Sequence, residues 1–108
     1  MRICELQQLL QLETAALGET EQEFTDCYIG DMLSVVMSRA KEGDVWLTVQ
    51  TNVNIVAVAA LVGIACVIVV EGMEPDADTV QKAIAQGVTI FKSPETAFSL
   101  ASKIQKTL

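Results

Sequence analysis

The sequence predicts an α/β fold, a single-domain layered sandwich in which helices flank a mostly parallel sheet. The first observation behind this prediction is a pattern that occurs three times: a helix-like segment ends at a glycine and an apolar run follows, at Gly43, Gly63 and Gly87. Glycine just after a helix adopts the left-handed conformation without a Cβ clash, so the chain can turn into a strand. Helices and strands in alternation indicate parallel strands.

The second observation is the apolar character of the predicted strands. Residues 64–70 read Ile-Ala-Cys-Val-Ile-Val-Val, and residues 45–49 and 88–91 are weaker versions of the same pattern. A parallel strand that is covered on both faces is hydrophobic throughout and does not alternate. A chain of 108 residues supports one core, so we predict one domain over residues 1–108.

Three of the predicted helices follow a residue that is expected to cap them. These residues are Asp31, then Asp76 or Asp78, then Ser93, which is followed by Pro94 at the first helical position. The apolar positions of these helices recur at helical spacing: Met32, Val35, Val36 and Met37, then Val80, Ala83 and Ile84, then Ala97, Ala101, Ile104 and Leu108.

The first thirty residues are less regular. Ile3, Leu6, Leu9 and Leu10 predict a short helix. We predict a strand over residues 12–17, an acidic loop over residues 18–23 and a second strand over residues 24–29.

Residues 54–70 raise the question of a membrane span. The uninterrupted apolar stretch covers residues 55–70, which is shorter than the roughly 20 residues that a bilayer requires, and Gly63 divides it. We therefore predict a helix over residues 54–62 and a buried strand after it, and no membrane association. This helix is apolar nearly all round and needs cover on more than one side, for which a second subunit is a candidate.

The composition disfavours several classes of function. A net charge of −7, with Lys+Arg 7 against Asp+Glu 14, opposes binding to nucleic acid and to anionic membranes. The chain has no His and three widely spaced cysteines, so we expect no metal, no cofactor and reduced thiols in a cytoplasmic protein. No signal peptide is visible. We expect Cys66 to be buried and Cys27 to be the only cysteine with some chance of exposure. The larger side chains expected in the core or at an interface are Met32, Met37 and Trp46.

Candidate ligand-binding residues lie at the carboxyl ends of the predicted parallel strands, where open α/β sheets bind their ligands. They are Gln50, Thr51, Asn52, Asn54, Glu71, Gly72 and Ser93, with Met73 and Lys92 beside them. Each of these residues also has a purely structural interpretation in place of ligand binding. In that interpretation Asn52 or Asn54 caps a helix, residues 71–75 form a turn, and Ser93 is a helix cap.

Catalysis has little support in the sequence. Ser93 lacks a His to act as its base, and neither of the glycine-rich nucleotide-binding motifs is present. We therefore predict that the chain is not an enzyme.

Four segments resemble the DRTGG domain: residues 27–37, 43–61, 64–76 and 87–98. The resemblance implies a regulatory or accessory domain of the kind found beside CBS domains in nucleotide-regulated pyrophosphatases, with a fold like the N-terminal domain of HPr kinase/phosphorylase. Stand-alone versions occur near hydrogenase-related genes. The family's Asp-Arg and Thr-Gly-Gly motifs correspond here to Thr51-Asn52 and Val70-Glu71-Gly72, so only Gly72 matches.

These observations lead to a functional expectation with two alternatives. We expect a non-enzymatic regulatory domain that acts as a homodimer and by docking to a partner protein. One alternative is a sensor of a nucleotide or another small anion at the predicted strand ends. The other is an accessory subunit of a hydrogenase-related redox complex.

Overall fold

The structure, a computed structural model, describes residues 1–108 as five helices and five strands. In chain order these are α1 Ile3–Leu10, β1 Glu13–Ala16, β2 Asp26–Ile29, α2 Leu33–Arg39, β3 Asp44–Thr48, α3 Asn54–Val62, β4 Cys66–Val69, α4 Ala77–Gln86, β5 Ile90–Lys92 and α5 Ala97–Gln105. The strands form one sheet in the order β1-β5-β4-β3-β2. Strands β2 to β5 are parallel and β1 is antiparallel to β5, which confirms the predicted fold class.

The predicted glycine turns are present at all three places. Gly43, Gly63 and Gly87 have φ of 87°, 83° and 71°, the left-handed conformation that glycine adopts without strain. Every residue of β3 and β4 is buried, as expected for central parallel strands that are covered on both faces.

Helices cover both faces of the sheet and divide the core in two. On one face α1 and α5 pack against residues such as Leu47 and Ile68, and on the other α2, α3 and α4 pack against residues such as Val67 and Trp46. Trp46 is fully buried, and its indole Nε1 donates a hydrogen bond to the Gly30 carbonyl at 2.8 Å. Trp46 is therefore a core residue.

Two of the predicted helix caps are wrong. The Asp31 carboxylate does not bond to α2, because Oδ1 accepts hydrogen bonds from Thr48 Oγ1 and Val49 N, both at 2.9 Å. These partners lie on the neighbouring strand. Helix α5 begins later than predicted, and its cap is Thr96, whose hydroxyl accepts a hydrogen bond from Ser99 N.

Helix α4 follows the predicted cap position but differs in its buried face. Asp76 is the N-cap residue, although its side chain makes no capping bond. Thr79 and Ala83 are buried, and the Thr79 hydroxyl donates to the Thr51 carbonyl at 2.8 Å, whereas Ile84 is exposed. Two other residues predicted to be apolar helix positions are exposed: Leu9, in the last turn of α1, and Leu108, which lies beyond the end of α5.

Helix α3 obtains most of its cover within the chain. It lies between α2 and α4, and Ile55, Val56, Val58 and Ala59 are buried. Ala57, Ala60 and Leu61 remain exposed. None of the helices is both long enough and apolar enough to cross a membrane.

Candidate functional site

The carboxyl ends of β2 to β5 meet at one edge of the sheet, and β1 begins there because it runs antiparallel to β5. The structure places the seven predicted site residues at this edge in two groups. Four of them follow β3, and the other three follow β4 and β5: Gln50, Thr51, Asn52 and Asn54, then Glu71, Gly72 and Ser93.

The first group is a chain of hydrogen bonds that holds the loop between β3 and α3. Gln50 Nε2 donates to the Asp31 carbonyl at 2.8 Å, and Asn52 Nδ2 donates to Gln50 Oε1 at 3.0 Å. Asn52 Oδ1 accepts from Asn54 N, the first residue of α3, at 2.9 Å. The Thr51 carbonyl accepts from Asp76 N. The side-chain amides of Gln50 and Asn52 are therefore engaged with each other and with the start of α3. The N-cap residue of α3 is Val53, without a side-chain capping bond, so the expectation that Asn52 or Asn54 caps this helix is wrong.

The second group lies beside an open pocket of about 320 Å³. Gly72 and Ser93 line this pocket, whereas Glu71, Gln50, Thr51, Asn52 and Asn54 do not. The remaining lining residues are Gln11, Glu13, Met73, Glu74, Lys92 and Pro94. We call this set of eight residues the β5 pocket.

Sequence reasoning did not anticipate the contribution of β1 to the β5 pocket. Glu13 reaches it only because β1 pairs with β5 and places Glu13 directly opposite Lys92. No local signal in the sequence reports a pairing between strands so far apart.

Lys92 is the one cation of the β5 pocket, and two carboxylates already balance its charge. Its Nζ donates to Glu74 Oε1 at 2.5 Å and lies 3.7 Å from Glu13 Oε1. The hydrogen bond to Glu74 is the main reason why the pKa of Lys92 is raised above its usual value. With two carboxylates and one ammonium group, the pocket carries excess negative charge.

Three of the backbone donors around the pocket are also occupied. Gly72 N donates to the Ser93 carbonyl at 3.0 Å, Met73 N to the Val70 carbonyl at 3.2 Å, and Ser93 N to the Val69 carbonyl at 3.0 Å. Pro94 has no N–H to donate. An anionic ligand would therefore compete with Glu74 for Lys92, the one charged donor of the pocket.

The model of the DRTGG domain family matches residues 6–107 of this sequence. The chain belongs to the DRTGG domain family. Among solved structures it is similar to the CBS and DRTGG domains of the regulatory region of Clostridium perfringens pyrophosphatase, crystallised with the activator diadenosine tetraphosphate. The TM-score is 0.74 at 17% identity, over 98% of this chain and 46% of that one. This likeness shows the fold, and this DRTGG domain spans less than half of the pyrophosphatase region. No curated protein matches the sequence.

The turn after β4 has an unusual backbone in this DRTGG domain. Glu71 and Gly72 have φ of 60° and 73°, both left-handed. Met73 N donates to the Val70 carbonyl and closes the turn. Gly72 is suited to this conformation and Glu71 is not, because a Cβ atom in the left-handed region crowds the backbone.

Two of the three thiols of this DRTGG domain have a raised pKa, and the Ser93 hydroxyl takes part in a turn. Burial raises the pKa of Cys27 to about 12, helped by the carboxylates of Asp26 and Asp44, and burial likewise raises the pKa of Cys66. Both thiols therefore stay protonated near neutral pH. Cys4 is half-buried like Cys27, so the expectation that Cys27 alone has some exposure is wrong. Ser93 Oγ accepts a hydrogen bond from Glu95 N at 3.1 Å.

No group of three or more His, Cys, Asp or Glu side chains is arranged to hold a metal ion.

A second candidate site lies around α2, beside the edge strand β2. Ile29, Met32, Val35 and Met37 are exposed, and Met32 is the most exposed of them at 67%. Twelve large hydrophobic side chains are exposed in the whole chain, so a third of them fall within residues 29–37. Helix α2 buries only Val36. We call these four residues the α2 surface, and Met32 and Met37 are thus surface and not core residues.

Proposed function

We propose that this DRTGG domain, taken as residues 1–108, is a non-enzymatic regulatory domain that acts by self-association and by docking to a partner protein. The observation that carries the proposal is the α2 surface, where exposed apolar side chains are concentrated beside β2, one of the two edge strands of the sheet. Exposed apolar side chains concentrated in one region of a small domain are typical of a protein interaction site.

Three features support a role without catalysis. The chain has no His to act as a general base, the thiols of Cys27 and Cys66 are protonated at neutral pH, and the Ser93 oxygen is engaged by a backbone N–H. The three free thiols suit a reducing compartment, so we propose a cytoplasmic location. An association with a hydrogenase-related redox complex stays a prediction.

Sedimentation equilibrium of the purified chain tests the self-association. We expect a reversible dimer at micromolar concentration, because a buried apolar interface supports association of this strength. A single species with the mass of the monomer over the whole concentration range would contradict the proposal.

A second candidate function is the binding of a small ligand in the β5 pocket. The pocket lies at the edge of the sheet where α/β folds bind ligands, and Gly72, Lys92 and Ser93 line it. The regulatory region of the similar pyrophosphatase was crystallised with diadenosine tetraphosphate, so adenine nucleotides are the first class to test. A phosphate bound here would replace Glu74 as the partner of Lys92.

Thermal unfolding with adenine nucleotides tests this second function. A ligand that binds only the folded chain must raise the melting temperature. We expect Lys92→Met to abolish the increase, and Lys82→Met, which removes an equal charge from an exposed position on α4, to retain it. Equal increases for both variants would place the ligand outside the β5 pocket, and no increase for the unsubstituted chain would reject nucleotide binding.

A further inference from the structure

We propose that two copies of this chain associate through α2, arranged antiparallel about a two-fold axis near Val35. In this arrangement Arg39 of each copy lies against Asp31 of the other. The inference rests on the self-association proposed above and names the surface that produces it.

The first argument is the exposure of α2. Only Val36 of this seven-residue helix is buried, whereas each of the other four helices buries two or more residues. Met32, Val35 and Met37 are exposed, and so is Ile29 at the end of β2. Met32 and Val35 are three residues apart and share one side of the helix, whereas Met37 lies on another side. Helix α3, the predicted contact, is a weaker candidate because α2 and α4 already flank it.

The second argument is the distribution of charge. Two copies that each carry a net charge of −7 repel one another, so contact is favoured where this excess is absent. Residues 29–41 contain one acidic residue, Asp31, and two basic residues, Arg39 and Lys41. Acidic residues outnumber basic ones two to one in the chain as a whole, 14 against 7. The region around α2 is therefore one where a second negatively charged copy can approach.

The third argument is that the two ends of α2 complement each other. Asp31 precedes the helix, and its Oδ2 makes no hydrogen bond within the chain, since only Oδ1 is used. Arg39 ends the helix, and its guanidinium makes neither a hydrogen bond nor an ion pair within the chain. A pair of antiparallel α2 helices brings each free carboxylate oxygen to a free guanidinium, and the helix dipoles are then also oppositely oriented.

The separation of these two residues fixes the register. Arg39 is the last residue of α2 and Asp31 lies two residues before its first, so the two charges flank a helix about 10 Å long. Val35 lies midway between them in sequence, so the two-fold axis passes close to it. Val35 then faces its own counterpart, with Met32 beside it. An isologous contact of this kind closes as a dimer and does not extend into a filament.

Charge reversal tests the pairing. We expect Arg39→Glu to raise the dissociation constant of the dimer about ten-fold or more, because two symmetric attractive pairs become repulsive. Lys82→Glu is the matched control, since it changes the net charge equally but lies on α4, and it should have a smaller effect. Arg39→Lys keeps the positive charge and should stay close to the unsubstituted chain. Sedimentation equilibrium measures all three variants.

A disulfide cross-link tests the register independently of charge. A cysteine at the two-fold axis meets its counterpart, so mild copper-catalysed oxidation of Val35→Cys should give a covalent dimer on a non-reducing gel. The same oxidation of the unsubstituted chain and of Ile84→Cys, an exposed position on α4, should give little.

The two proposals fail in different ways. A dimer that is unaffected by Arg39→Glu and does not cross-link through Val35→Cys overturns the α2 interface but leaves self-association standing. An unsubstituted chain that remains monomeric overturns both.

Discussion

At the scale of single residues, the turn after β4 contains a strained position next to an unstrained one. Glu71 has φ of 60° and its side chain makes no hydrogen bond or ion pair. Gly72 follows with φ of 73°, and no atom lies within 4 Å of the place where a Cβ would be. Because neither position involves a side-chain hydrogen bond or ion pair, substitutions here report mainly the free energy of the left-handed backbone.

We predict that Glu71→Gly stabilises the fold. Relief of the left-handed backbone contributes about 1–2 kcal/mol, and the greater freedom of glycine in the unfolded chain offsets roughly 0.5–1 kcal/mol of it. Gly72→Ala reverses both terms and should destabilise by roughly 0–1.5 kcal/mol, although nothing clashes with the new methyl group. Urea unfolding measures both changes.

Glu71→Gln is the control for the prediction at this position, because it removes the same charge and keeps the strained conformation. If Glu71→Gly is no more stable than Glu71→Gln, the gain comes from reduced charge repulsion and not from the backbone.

At the scale of the elements, α3 has one side buried by the rest of the chain and another side exposed to solvent. Val58 is 6% exposed, whereas Leu61, on the same helix, is 72% exposed. We predict that Val58→Ala lowers the free energy of unfolding by about 1–3 kcal/mol, because it opens a cavity in the core. Leu61→Ala should change it by less than about 0.5 kcal/mol.

The Leu61→Ala variant also tests which helix forms the dimer interface. Leu61→Ala should leave the dissociation constant unchanged if α2 carries the interface. A marked loss of dimer with Leu61→Ala would return the contact to α3.

The elements themselves were largely predictable because their signals are local. Gly43, Gly63 and Gly87 mark the turns by the residue type that a left-handed backbone requires. The caps were less predictable, because a polar side chain near a helix start has other partners. Asp31 bonds to β3, and Ser93 bonds to the turn ahead of α5. A competing partner from another strand leaves no trace in the local sequence.

At the scale of the whole molecule, the candidate sites depend on contacts between distant segments. Gly72 and Ser93 were identified from the rule that ligands bind at strand ends, but Glu13 and Gln11 enter the β5 pocket only through the pairing of β1 with β5. The exposure of α2 was only partly predicted, because Met32 and Met37 were expected in the core or at an interface. The apolar spacing of α2 resembles that of a buried helix, and only the position of β2 at the sheet edge reveals that little covers it.

The net charge of the whole molecule predicts how salt affects association. Two copies with charges of −7, whose centres are separated by about the shortest molecular dimension of 25 Å, repel by roughly 8 kcal/mol in unscreened water. The Debye length falls from about 30 Å at 0.01 M salt to about 8 Å at 0.15 M, so most of this repulsion disappears over that range. The exposed Arg39–Asp31 pairs also weaken with salt, but each is worth only about 0–1 kcal/mol.

We therefore predict that the dimer tightens by about ten-fold or more between these two salt concentrations, as measured by sedimentation equilibrium at fixed pH. Lys82→Glu adds negative charge far from the proposed contact and should make the dependence on salt steeper. A dimer that weakens as salt is added would show that short-range ion pairs outweigh the repulsion between net charges. In that case Arg39→Glu should remove the weakening, because it eliminates the attraction that salt screens.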